Sequence, residues 1–467
     1  MRATYALLPV ASLVCGIFCT PALAAGFQLN ESSASGLGTA FAGGAASGDD
    51  ASTLWSNPAG MMRVQTRQAV GVLHLVRPTI RFRDEASVAA AQQPLGGDGG
   101  DAGGLNVVPN LYFVQPMGNA WRVGLGVTAP WGLVTEYDDQ FIGRFQATKS
   151  SIRTLNLNPS VAWRAADGIS VGAGLNIQRM QAEFNNLVNY SAALLSAAAG
   201  AGIAPGSETY AAVAQATPGL ASKASVKGAD NAFGWNIGVL WDLDSQSRVG
   251  LHYRSPVSYR IAGDVRFTNP ALPVIPSAPL AGTVAQLSAG VNAGALFDSA
   301  VNAKVKLPPI VNLSAFRAVD PRWDVMADLQ WTGWSTIREL RFVRGDGTVL
   351  QSTPEHFKDS WKLAVGASYR PGGMWRLRGG LAWDQSPVRD EFRTPRLPDA
   401  NRLWVSAGAQ YLFSDSMRLD FGAAYLSSRQ AGIDKRGDPP STPAYGLLNG
   451  HYDSHTVIVS AQMAYAF

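Results

Sequence analysis

The chain has 467 residues, of which 46% are hydrophobic and only 15% charged, with 49 glycines and 44 aromatic residues made up of 13 Trp, 13 Tyr and 18 Phe. So much apolar material excludes a disordered chain, and glycine without a three-residue period excludes a collagen-like one. The balance of 38 basic against 34 acidic residues leaves a charge of +4, too weak a field to argue for nucleic acid as a partner.

The N-terminus reads as an address. Arg2 precedes an apolar stretch over 6–18, which ends in Pro21, Ala22, Leu23 and Ala24. A basic start, an apolar core and an Ala-x-Ala end predict a secretory signal peptide over 1–24. Both cysteines, Cys15 and Cys19, lie inside it. The residues before them, Val14 and Phe18, are not the small residue that a lipoprotein signal requires. The exported chain is therefore expected to hold no disulfide, thiolate metal site or cysteine nucleophile.

Residues 25–66 are rich in Gly, Ala and Ser and end in Trp55-Ser56-Asn57-Pro58-Ala59-Gly60. The segment is too long for a linker and too small for a core of its own. Asn57 and Pro58 predict a turn, since a residue before proline is kept out of helix.

From 67 onward the pattern has a period of two. Trp121, Val123, Leu125 and Val127 alternate with Arg122, Gly124, Gly126 and Thr128. Trp323, Val325, Ala327, Leu329 and Trp331 share one face, and Asp324, Asp328, Gln330 and Thr332 the other. Such strands have one apolar and one polar face. Tryptophans recur at the ends of the apolar rows, as interfacial girdles require. The opposite faces carry Arg, Asp, Asn and Gly, a poor core for a soluble sandwich but a reasonable lumen. No segment of the exported chain has the apolar length of a membrane helix.

Fourteen such spans are predicted: 67–84, 105–116, 119–134, 149–164, 168–187, 231–242, 247–266, 304–317, 322–341, 357–370, 374–385, 401–413, 416–433 and 452–467. Short turns alternate with long connections, among them 188–230, 267–303 and 434–451. This predicts an all-β, 14-stranded antiparallel transmembrane β-barrel over 67–467, with 25–66 as an N-terminal plug in its lumen. By strand parity Arg376, Arg378, Arg418, Asp324, Asp384 and Asp420 point inward, as a paired polar network against the plug. The terminal Phe467, on one face with Val457, Val459, Met463 and Tyr465, resembles the signal read by the barrel assembly machinery. The two longest connections carry dense apolar side chains, including Leu194, Leu195, Leu287 and Phe297. Exposed apolar clusters of this kind mark a binding surface, here for a hydrophobic small molecule captured from outside.

Several stretches resemble the FadL/TodX family of outer-membrane hydrophobic-substrate channels. They are Ala25 to Glu31 (AGFQLNE) with Ser35-Gly36-Leu37-Gly38, and Asn57-Pro58-Ala59, similar to that family's plug motif. Asn110 to Val114, Trp131-Gly132-Leu133 before Thr135-Glu136, Gly234-Trp235-Asn236, Phe357-Lys358-Asp359 and Pro398-Asp399 complete the match. The resemblance spans the exported chain. It implies a monomer in the outer-membrane lipid that passes long-chain fatty acids, or aromatic and alkane hydrocarbons, by lateral diffusion. Loops 188–230 and 267–303 would capture the substrate, and a pocket at Phe27 and Leu29 would receive it. A kink at Pro130, Trp131 and Gly132 would then open the wall sideways. Proline cannot donate to a ladder and glycine weakens a strand, which fits such a gap. The family's basic residues for a carboxylate align with Asn186 and Thr353, neither of them basic. Lys358 is the nearest candidate to replace them, unless the substrate has no carboxylate.

The competing classes are a general porin and an outer-membrane enzyme. The one Gly-x-Ser-x-Gly match of the exported chain, Gly168 to Gly172, opens an alternating strand instead of a strand-to-helix elbow, so no catalytic residue is assigned. Among His74, His252, His356, His451 and His455, only His451 and His455 have a ligand-like spacing, and that pair opens a strand rather than lying on a helix. No metal, cofactor or nucleic acid is expected.

Overall fold

The computed structural model describes residues 26–435 and 444–467. The expected signal peptide and part of the last long connection lie outside them. Twenty strand segments join into 14 antiparallel staves that close into one barrel. In chain order these are β1 (Gln68–Asp84), β2 (Asn106–Met117) and β3 (Trp121–Thr128 continued by Gly132–Glu136). Then come β4 (Lys149–Ala166), β5 (Ile169–Asn189), β6 (Ala221–Asp242) and β7 (Ser247–Arg254 continued by Val257–Thr268). β8 (Ser299–Leu307 continued by Ile310–Ala318), β9 (Trp323–Thr332 continued by Glu339–Arg344) and β10 (Val349–Pro354 continued by Ser360–Gly372) follow. β11 (Trp375–Asp384), β12 (Arg402–Ser414), β13 (Met417–Ser428 continued by Ala431–Asp434) and β14 (Asn449–Ala466) complete the wall. Closure comes from β1 pairing with β14, Gln68 opposite Ala466 through Asp84 opposite Gly450.

The period of two sorts the side chains as polar lumen and apolar rim require. Val123, Leu125, Leu363, Val365, Leu403 and Val405 are exposed on the outside, whereas Arg122, Asp324, Arg378 and Asp420 are buried on the inside. Cross-strand aromatic pairs mark the girdles: Trp121 on Trp163 at 5.8 Å, Trp323 on Tyr369 at 4.6 Å and Trp375 on Tyr411 at 4.9 Å. No helix among the described residues is long and apolar enough to cross a membrane.

Residues 26–64 run through the lumen and are mostly buried. Their short helical turns (Ala34–Leu37, Gly44–Ser47, Thr53–Ser56 and the 3-10 turn Pro58–Arg63) leave many backbone groups unpaired. Wall side chains satisfy them. Arg248 Nε donates to the Ala46 carbonyl at 2.6 Å, Arg122 Nε to that of Val64 at 2.8 Å, and Gln68 Oε1 accepts from the Ala51 amide at 2.7 Å. Glycines on the inner wall face make room for this contact. A Cβ at Gly250 would stand 1.9 Å from the Ala45 oxygen, and one at Gly238 2.0 Å from Asn57 Oδ1.

The two longest connections, expected as loops, carry helices. Tyr190–Gly200, Glu208–Ala216 and Ala278–Gly294 pack on one another around Tyr190, Leu194, Val213, Val284 and Leu287. The staves beneath them also run further outward, β6 beginning at Ala221 rather than 231.

Candidate functional site

The site is assembled where the start of the lumenal segment meets an interruption in the wall. β2 stops pairing with β3 at Leu111 opposite Val127, which leaves the rest of β3 with a free edge. There the strand breaks at Ala129-Pro130-Trp131, as the proline predicts. The lumenal segment occupies that edge: the Leu29 amide donates to the Pro130 carbonyl, and the Gly132 amide to the Phe27 carbonyl, both at 2.9 Å. Gln28 and Trp131 form the antiparallel bridge between them. On its other side the break is bridged by Thr154, whose hydroxyl accepts from the Trp131 amide at 2.9 Å.

Phe27 sits in an aromatic cluster, with its ring 5.9 Å from Trp131 and 5.0 Å from Trp334. Trp334 in turn lies 6.0 Å from Phe357. Edge-on ring pairs of this kind add about 0.5–1.5 kcal/mol each beyond the area they bury. The lumenal segment is tied down at Gly26 by Asp399, whose Oδ2 accepts from the Gly26 amide at 2.9 Å and from Ser386 Oγ at 2.6 Å. Asp399 also pairs with Arg402 at 3.1 Å. The sequence motif Pro398-Asp399 thus contributes an anchor, a role that alternation could not reveal because it lies in a loop.

Asn57, Pro58 and Ala59 hold the other end. The Asn57 side-chain amide donates to the carbonyls of Ala45 at 2.7 Å and Val239 at 3.0 Å, and its Oδ1 accepts from the Ala59 amide at 3.0 Å. That last bond caps the 3-10 turn that Pro58 opens. Between the two ends, Asp49 lies 3.3 Å from Arg376 and 3.7 Å from Arg378. Burial alone would raise the Asp49 carboxyl, but Arg376 and Arg378 pull it well below the usual carboxylate range. Arg376 also reaches Asp324 at 2.8 Å, and Arg378 reaches Asp420 at 2.6 Å. The inward-facing charges expected from parity form this network, with Arg418 donating to the Asp49 carbonyl. Asp384 is paired more loosely, its Oδ2 standing 4.0 Å from Arg402 without a hydrogen bond.

Above the Phe27 cluster lies an apolar pocket, part of it open to solvent. Its inner wall includes Phe27, Leu133, Ile152, Met180, Phe184, Phe342 and Phe357. Its mouth lies between β8 and β9. There the outer ladder covers only Val301–Ala303 against Phe342–Arg344, and pairing resumes at Ile310 opposite Thr332. Pro308 and Pro309 offer no donor across the interval; at its lower end the Gly333 amide donates to the Pro309 carbonyl at 3.0 Å, and Thr336 Oγ1 to the Lys306 carbonyl at 3.2 Å is the one side-chain bond across it among the described residues. Lys304, Lys306 and Glu339 frame this opening, with Lys227 beside it. These exposed charges stand just outward of Trp331 and Trp361, at the polar layer of the membrane.

The expected site residues are distributed unevenly over this geometry. Phe27 lines the pocket; Leu29 is buried against the lumenal core instead, and Pro130, Trp131 and Gly132 form the break. Leu194 and Leu287, expected on a capture surface, lie inside the helical cap because the loop helices need a core of their own. Leu195 is partly buried against that core, and Phe297 is exposed beneath the Arg344 guanidinium at 3.9 Å. Lys358 is not among the residues lining the pocket, and neither are Asn186 and Thr353. Sequence reasoning missed two ionisable groups that do line it, Glu355 and Arg396, both buried.

A barrel of this strand number with its lumen filled, and an apolar pocket opening through the wall, defines an outer-membrane channel for apolar compounds rather than an open water-filled pore. The family described as outer membrane protein transport protein (OMPP1/FadL/TodX) matches residues 16–467, and the chain belongs to it. A long-chain fatty acid transport protein of Escherichia coli O157:H7 is 31% identical over 426 residues, covering 89% of this chain and 91% of that protein. Outer membrane protein P1 of Haemophilus influenzae is 30% identical over 469 residues, covering 95% of each. Among solved structures, a Pseudomonas aeruginosa FadL homologue superposes with a TM-score of 0.82 at 23% identity, over 95% of this chain and 100% of that one. The Pseudomonas putida toluene transporter TodX shares the fold with a TM-score of 0.64 at 17% identity, over 89% of this chain and 94% of that one. The protein is thus an outer-membrane β-barrel of a transport family.

Proposed function

We propose that this protein takes up long-chain fatty acids passively across the outer membrane, with residues 25–66 acting as the plug of a monomeric channel. The observation that carries the reading is the apolar pocket running from the opening between β8 and β9 down to Phe27. A long acyl chain gains by leaving water for such a pocket, at about 0.8 kcal/mol per buried methylene. The lysines at the mouth attract an anionic head group held at the membrane surface. From the pocket the substrate leaves sideways at the Pro130-Trp131-Gly132 break once Phe27–Leu29 lets go of the β3 edge, and it stays out of water throughout. The names of the curated relatives support fatty acid as the substrate class. Aromatic or alkane hydrocarbons are the alternative cargo, favoured by the lack of a base at Asn186 and Thr353.

The test is uptake in cells lacking their own hydrophobic-substrate channel, with labelled oleate and labelled toluene offered in parallel. Saturable oleate uptake supports the proposal. Toluene uptake without oleate moves the protein to hydrocarbons, and steady ion conductance in planar bilayers would instead mark a porin.

A further inference from the structure

Arg396 lines the otherwise apolar pocket and is only 5% exposed. It lies in the inward-folded connection between β11 and β12, held by Thr135 in the far half of β3 and by Tyr137 just beyond it. Thr135 Oγ1 donates to the Arg396 carbonyl at 3.1 Å, and the Tyr137 hydroxyl to the Pro395 carbonyl at 2.8 Å. Its guanidinium is poorly satisfied. Nη1 makes one long bond of 3.4 Å to Ser150 Oγ, and Nη2 has no hydrogen-bond partner among the described residues. The Phe184 ring lies beneath it at 5.4 Å.

A guanidinium buried in this way needs an anion, because an unpaired charge away from water is costly. Of the carboxyl groups lining the pocket, Glu339 is an exposed lip residue, which leaves Glu355 as the buried one. Glu355 and Arg396 make no ion-pair contact. Burial pushes the Glu355 carboxyl up to about 8, against the pull of Arg396 and Lys435. At neutral pH it is therefore largely protonated, and it offers a hydrogen-bond donor rather than a counter-charge. The pocket thus pairs a long apolar wall with one fixed, incompletely bonded cation.

We propose that Arg396 is the head-group residue of the pocket, binding the carboxylate of a fatty acid whose chain lies along Met180, Phe184 and Phe342, with Glu355 as a second donor. This rests on the fatty-acid reading above and deepens it, since a neutral hydrocarbon would leave the guanidinium unpaired. A fork of donors suits a carboxylate, and such charge-assisted bonds are the strong ones.

The experiment measures binding of oleate and oleyl alcohol, which share one chain, to the full-length protein in nanodiscs. The variants are Arg396→Gln and Arg396→Lys. The proposal expects the wild type to prefer oleate, and Arg396→Gln to lose about tenfold or more of the oleate affinity while oleyl alcohol is unchanged. Arg396→Lys restores part of the loss. Unchanged alcohol binding and heat-modifiable migration establish that the variants are folded. Oleate binding equal to wild type in Arg396→Gln overturns the head-group assignment and leaves the fatty-acid reading intact. If the wild type binds neither ligand, both fall.

Discussion

The Gly132 amide donates to the Phe27 carbonyl at 2.9 Å, so the first described residues of the chain complete a ladder that the β3 break interrupts. The same two residues connect the pocket to the wall, since the Phe27 ring lines the pocket while its backbone seals the edge. A ligand that displaces the ring therefore acts on the seal. Phe27→Ala removes the edge contacts with Trp131 and Trp334 and costs about 3–5 kcal/mol of local packing. The segment around residues 26–29 should then exchange its amide hydrogens faster than in the wild type, with the strands unchanged. Hydrogen exchange read by mass spectrometry checks this.

The anchor at Asp399 gives a second expectation. Asp399→Ala withdraws the acceptor of the Gly26 amide and leaves Arg402 without its 3.1 Å partner. Losing one member of a buried, hydrogen-bonded charge pair costs about 3–5 kcal/mol. The segment at Gly26 should become accessible to a soluble protease in purified protein, while Asp390→Ala, at an exposed loop residue, should leave it protected.

Gly250 and Gly238 test the fit between plug and wall. A valine at Gly250 places its Cβ against the Ala45 carbonyl, a backbone atom that cannot step aside cheaply. Overpacking of this kind costs about 1–3 kcal/mol or more. Gly250→Val should lower the temperature of heat-modifiable unfolding and raise ion conductance in bilayers. A matching change at Gly379, where a Cβ meets nothing within 4 Å, should do neither.

Glu355 makes stability depend on pH. Its carboxyl titrates near 4.5 when unfolded and near 8 when buried. Between these values the folded protein keeps a proton that the unfolded chain gives up, so stability falls as pH rises from about 4.5 to about 8. The basic side chains that act against this rise are Arg396 and Lys435. Glu355→Gln should flatten this slope, measured as unfolding temperature against pH in one detergent.

The barrel was legible from the sequence because a membrane wall imposes alternation at every residue. All 14 staves and the inward charges Arg376, Arg378, Asp324 and Asp420 follow from parity alone. Legibility fades outward of the aromatic girdles, where both faces meet water. Hence β6 was read ten residues short, and the loop helices such as Tyr190–Gly200, apolar on nearly every side, carried no clear helical period. Arg396 and Glu355 escaped for another reason. Arg396 lies in a connection and Glu355 in the interruption of β10, where neither parity nor spacing assigns a direction, and only the folded chain brings them to one pocket. Arg396 stands between two prolines, Pro395 and Pro398, a hint of a fixed loop that by itself names no partner.

The central claim is that Phe27–Leu29 must leave the β3 edge for substrate to pass. Gln28 and Trp131 are direct antiparallel partners, at a separation that a disulfide can span, and the exported chain is expected to lack other cysteines. The Gln28→Cys, Trp131→Cys double variant should lose oleate uptake when oxidised and recover it on reduction, with each single variant insensitive to redox state. Uptake that continues unchanged through the oxidised tether would contradict the account.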